Sequence, residues 1–72
     1  MKLPVVSGRD CVKALEKSGF IFKRQRSSHI ILMREHHYSL IVVPDHATLD
    51  RGTLRAIIRQ TGLAVDEFLK LL

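Results

Sequence analysis

His29 stands directly after Arg24-Gln25-Arg26-Ser27-Ser28, with Lys23 one residue further back, so an imidazole follows a cluster of cations. That combination suits a phosphate-bearing substrate. A neutral imidazole can take a proton from a ribose 2′-hydroxyl. Attack of that oxygen on the adjacent phosphate cleaves RNA without a metal. The planar, forked donors of Arg24 and Arg26 would hold the phosphate and stabilise the charge it gains. Lys23 and Ser28 join them as candidate phosphate contacts. The competing reading is a solvated or hydrogen-bonded histidine at the start of a strand.

His46, in Val43-Pro44-Asp45-His46, is a candidate second acid/base. If the strand ending at Pro44 lies antiparallel to the one opened by His29, the two histidines fall at the same end of the sheet. The alternative for His46 is a loop residue bonded to backbone or to Asp50. His36 and His37 do not make a metal site, because adjacent residues point apart and no second cluster supplies further ligands. A solvated turn suits them better. Cys11 belongs to the apolar face of a helix, and as the only cysteine it can close no disulfide within the chain. Ser27 and Ser28 lack the oriented base and oxyanion hole of a serine hydrolase. No cofactor is expected.

The elements that position these residues follow from local signals. Ser7 precedes a helix over about Gly8 to Ser18, with Asp10 as a weak capping-box acid and Gly19 as its stop. Cys11, Val12, Ala14 and Leu15 form its apolar stripe, and Arg9, Lys13 and Lys17 follow one another at i, i+4, i+8 on another face. Phe20 to Gln25 suits a strand, Arg26-Ser27-Ser28 a tight connection, and His29 to Arg34 a second strand. Glu35-His36-His37 is a polar turn before a third strand, Tyr38 to Val43, which ends at Pro44 for want of an N–H. After a loop from Asp45 to Asp50, helical spacing returns from about Gly52 to Thr61, with Leu54, Ile57, Ile58 and Thr61 on one face and Gly62 as the stop. Asp66 and Glu67 open a short last helix carrying Phe68, Leu69, Leu71 and Leu72.

This order predicts an α+β fold, α-β-β-β-α, with a three-stranded antiparallel meander and helices on one face. Strands two and three are apolar at nearly every position, so the opposite face should keep apolar side chains exposed for a protein partner. The chain has 72 residues, 46% of them hydrophobic and 26% charged, a balance that excludes a disordered or low-complexity segment. A single domain over residues 1–72 is expected, with roughly 62% of the unfolded chain's surface buried on folding. The stretch from Met1 to Ser7 is too short in apolar residues for a secretory leader, and no run approaches membrane-spanning length. A soluble cytoplasmic protein with no membrane partner is the expectation.

Twelve Lys+Arg against seven Asp+Glu give a formal charge of +5, so the partner surface is anionic. No carboxylate interrupts the stretch from Lys17 to Arg34, and Arg51, Arg55 and Arg59 form a second basic stripe. Such stripes are often only solvated faces. Neutralising even four phosphates would give a log-affinity slope against log salt of about −3.6 on duplex and about −2.8 on single strands. Nucleic acid is therefore the best-supported partner, with Arg55 and Arg59 as further RNA contacts. The α-β-β-β-α order with basic helices is also that of double-stranded-RNA-binding domains.

Five segments then carry a resemblance: Leu15-Glu16-Lys17-Ser18-Gly19-Phe20; Arg24-Gln25-Arg26-Ser27-Ser28-His29; Val43-Pro44-Asp45-His46; Gly52-Thr53-Leu54-Arg55 with Ile57-Ile58-Arg59-Gln60-Thr61-Gly62; and Glu67-Phe68-Leu69. In this order and spacing they resemble the HicA toxin family, also called YcfA-like, over nearly the whole chain. The resemblance implies a double-stranded-RNA-binding-like fold and a metal-independent ribonuclease that cleaves messenger RNA and halts translation. It also implies a HicB-type antitoxin as partner. The family's Gly-Ser-His motif falls on Ser27-Ser28-His29, so the catalytic role is carried to His29. Ser27 departs from the glycine, which would allow φ > 0 or close phosphate approach more readily, so loop shape or activity is where a difference is expected. Two rival readings remain: a non-catalytic RNA-binding module built on the same arginines, and an interaction module for an acidic protein.

Overall fold

The helix α1 (Gly8–Lys17) opens where Ser7, in extended conformation, accepts a hydrogen bond from the Asp10 N–H at 3.0 Å. This computed structural model describes residues 3–72, so Met1 and Lys2 of the apolar start lie outside it. The helix closes as a paired-bond stop: Phe20 N–H reaches Leu15 C=O and Gly19 N–H reaches Glu16 C=O, with Gly19 at φ +99°. Of the stripe expected to pack, Cys11, Ala14 and Leu15 are buried and Val12 packs partly against them. Burial pushes the Cys11 thiol up to about 12, consistent with a packing residue.

Three strands follow, β1 (Ile21–Arg26), β2 (His29–Arg34) and β3 (Ser39–Pro44), antiparallel in the order β1-β2-β3. Three boundaries differ from the sequence expectation, one of them at β3, which opens at Ser39 and leaves Tyr38 exposed in the preceding turn. Phe20 is drawn into the core beside the helix stop instead of starting β1, and Arg26 pairs with His29, which shortens the connection to Ser27-Ser28. Pairing slips between Phe22 and Arg24, so Lys23 is the extra residue of a bulge in the edge strand.

Alternation sorts the sheet into two faces. Ile30 and Leu32 stand opposite Val43 and Ile41, and all four are buried beneath α1 and the later helices. His29, Ile31 and Met33 stand opposite Pro44, Val42 and Leu40 on the other face. There Leu40 and Val42 remain exposed, as expected for strands apolar on both sides.

The second helix α2 (Arg51–Thr61) starts one residue earlier than its spacing suggests, because Asp50 caps it, accepting from the Thr53 N–H and hydroxyl. It ends at Gly62, at φ +81°. Leu54, Ile57, Ile58 and Thr61 are all buried, as their spacing predicts. Arg34 joins β2 to α2: its guanidinium lies 4.7 Å from the Phe20 ring centre and donates to the carbonyls of His37 and Thr61. A short helix α3 (Val65–Leu69) follows, with the Glu67 carboxylate accepting from Ala64 N–H at 2.8 Å and Phe68 fully buried. The result is the expected α+β layout, α-β-β-β-α with a short C-terminal helix. No described helix is long and apolar enough to cross a membrane.

Candidate active site

The connection between β1 and β2 has only two residues, and Ser27 is held at φ +55° while Ser28 is not at positive φ. A two-residue hairpin with a positive φ at its first central position is where type II′ turns use glycine. Ser27 therefore takes up the backbone sign that glycine favours, at a cost of about 1–2 kcal/mol for an L-residue in left-handed geometry. The turn delivers His29 as the first residue of β2, exposed on the face away from the helices.

Register determines its neighbours. Arg26 is directly opposite His29 and Arg24 opposite Ile31, so both arginines share the open face with the imidazole. Directly opposed residues have Cβ atoms about 4.5–5.5 Å apart, within reach of one phosphate group. Arg26, Ser27, His29, Ile31 and Val42 line a shallow hollow of about 500 Å³. Lys23 sits in the bulge further along the same edge strand, exposed. Ser28 is half-buried, and its carbonyl accepts from the Asp45 N–H at 2.6 Å.

His46 lies at the same end of the sheet as His29, two residues beyond Pro44, the cross-strand partner of His29. It is exposed, and its carbonyl accepts from Gly8 N–H at 2.8 Å. Its ring does not line the His29 hollow; its charge acts on the carboxylates of Asp45 and Asp50. Arg55 and Arg59 are separated from His29. They project from α2 and border a different surface hollow of about 290 Å³ with Leu63, Ala64 and Val65. Lys17 of the first basic stripe is engaged in the fold itself, donating to the Leu71 carbonyl at 3.0 Å.

Four residues around the turn escaped sequence reasoning. Arg9 makes a two-pronged contact with Asp45, Nε to Oδ1 at 3.0 Å and Nη2 to Oδ2 at 2.9 Å, the one ion pair among the described residues. Gln25 donates to the Ser27 carbonyl at 3.1 Å and, more distantly, to the Asp45 carboxylate at 3.4 Å. Gly8 lies so close to β3 that a Cβ there would collide with the Pro44 carbonyl. The hydrogen bonds from Arg9 hold the Asp45 carboxyl below the usual carboxylate range, and Arg9's charge, Gln25 and His46 reinforce this against a burial effect of opposite sign. Arg9 and Asp45 are thirty-six residues apart, so no local spacing announces the pair.

Residues 8–63 match the family model described as the HicA toxin of bacterial toxin–antitoxin systems. The chain belongs to the HicA toxin family. The HicA match runs from the first residue of α1 through the sheet and α2, and leaves α3 outside it. It thus includes the hairpin, His29, His46 and the Arg9–Asp45 pair. A search of curated proteins gives no significant match.

Proposed function

We propose that this HicA-family chain, as a single toxin domain over residues 1–72, is a metal-independent endoribonuclease that cleaves messenger RNA and so inhibits translation. The observation that carries this reading is the placement of His29 opposite Arg26, with Arg24 on the same exposed sheet face. His29 takes the proton of a ribose 2′-hydroxyl, the 2′ oxygen bonds to phosphorus, and the P–O5′ bond breaks. The departing 5′ oxygen takes up a proton from water or from His46, which lies at the same end of the sheet but outside the His29 hollow. Arg24 and Arg26 bind the phosphate as negative charge builds on it, with Lys23 and Ser28 as secondary contacts. Arg55 and Arg59 bind a more distant stretch of the RNA.

A HicB-type antitoxin is the proposed protein partner, covering the open face where Leu40 and Val42 are exposed beside the arginines. Its contact surface would be apolar at the centre and acidic around it.

The test is incubation of purified protein with labelled messenger RNA in EDTA, beside His29→Ala and a salt series. Cleavage should fall about 10²- to 10⁴-fold in the variant while RNA binding persists. His46→Ala should lose less, because water can also protonate the leaving oxygen. Salt-sensitive binding with no cleavage by the parent would replace this reading with a non-catalytic RNA-binding module.

A further inference from the structure

The side chains that fix the turn before His29 lie outside the two turn residues themselves. Asp45 reaches it by two routes: its backbone N–H donates to the Ser28 carbonyl at 2.6 Å, and its carboxylate accepts from Gln25, whose amide also donates to the Ser27 carbonyl. The carbonyls on both turn residues preceding His29 are thereby tied to one side chain and its backbone. Asp45 is in turn anchored to α1 by the two-pronged Arg9 contact. Immediately beside it, Gly8 N–H bonds the His46 carbonyl, and the absence of a Cβ lets the first turn of α1 press on Pro44.

Such anchoring has a purpose at this turn. Ser27 sits at φ +55°, a geometry that persists in a non-glycine residue when its surroundings over-determine it. A carboxylate this close to a phosphate site would also repel substrate unless neutralised. Arg9 does that while leaving the hydrogen bonds to Gln25 and Ser28 in place.

We infer that Asp45 is a positioning residue which, with Gln25, locks the Ser27-Ser28 turn and so the placement of His29, while Arg9 neutralises its charge against incoming RNA. This rests on the ribonuclease reading for its kinetic consequences, but not for its structural ones. The two halves of the device separate by what they change. Gln25 and Asp45 govern how His29 is aimed, which enters kcat; Arg9 governs the local charge, which enters KM.

The experiment compares the full chain with Gln25→Ala, Asp45→Asn, Arg9→Gln and the pairwise combinations, reading RNA cleavage and residue-resolved amide hydrogen exchange. Gln25→Ala and Asp45→Asn should each lower kcat about tenfold, together no more than either alone, with KM little changed in Gln25→Ala and lower in Asp45→Asn, where Arg9 is left without its counter-charge. Arg9→Gln should raise KM, and adding Asp45→Asn should remove that rise. In Gln25→Ala the Asp45 amide should exchange about tenfold faster, while the amides of Leu32 and Ile41 keep their parent rates. Unchanged exchange at Asp45 would overturn the inference, and so would equal acceleration at Leu32 and Ile41, which marks general loosening. If the parent cuts no RNA, the ribonuclease reading falls, and the exchange rates alone decide whether Asp45 and Gln25 lock the turn.

Discussion

Ile30, Leu32, Ile41 and Val43 face one side of the sheet, and His29, Ile31, Leu40 and Val42 alternate with them on the other. In residue type the two sets differ by little more than a histidine. Their surroundings differ greatly: the first set is buried under α1 and α2, and the second is left open beside Arg24 and Arg26. Apolar character by itself therefore does not mark the core of this protein. What separates the faces is the strand period of two combined with helices on one side only, so a one-residue slip of register would exchange the buried face for the one proposed to bind RNA.

Substitutions on the two faces test that division. Leu32→Ala, on the covered face, should cost about 2–5 kcal/mol, seen as a large fall in the midpoint of thermal unfolding. Val42→Thr, on the open face of the neighbouring strand, should change stability by less than about 0.5 kcal/mol. Equal losses at both positions would mean that the open face contributes to the core.

A smaller effect is expected at the hairpin. Ser27→Gly removes a left-handed cost of about 1–2 kcal/mol but adds about 0.5–1 kcal/mol of unfolded-state freedom. The net expectation is a rise of up to about 1.5 kcal/mol, read by denaturant titration. A loss would show that Ser27 makes a stabilising contribution that glycine cannot replace.

The gentlest test is acid. The Asp45 and Asp50 carboxyls are both held below the ordinary value of 3.8, the first by hydrogen bonds from Arg9 and the second by those from Thr53. A depressed carboxylate contributes stability that is present above its unfolded-state pKa and is lost as pH falls through the native one. Stability should therefore decline as pH drops below about 3.8, and the Asp45→Asn/Asp50→Asn double variant should show a flatter profile there.

Sequence reading went furthest where the signal is local. Ser7, Gly19 and Gly62 bounded helices because capping chemistry acts within a few residues, and the Leu54, Ile57, Ile58, Thr61 stripe located a buried face for the same reason. The polar turn Arg26-Ser27-Ser28 and the apolar run after it likewise placed His29 at the opening of β2. Strand ends were less legible: Phe20 is as good a strand residue as Ile21, and only its burial against the helix stop separates them. The support of the hairpin was illegible, since Arg9, Gln25 and Asp45 come from α1, β1 and the loop after β3 and meet only once the sheet has formed. Ser27 was singled out by its departure from a family glycine, yet its positive φ depends on the turn being held from outside.

The central claim is that His29, on the open face, activates a ribose 2′-hydroxyl against the neighbouring phosphate. The most direct measurement is the chemistry of the ends left on RNA after cleavage in EDTA by the purified protein. Fragments ending in 2′,3′-cyclic phosphate, with 5′-hydroxyl on the other side of the cut, are the expected result. Fragments bearing 3′-hydroxyl and 5′-phosphate would show attack by water instead, and would contradict the assignment of His29 as the base.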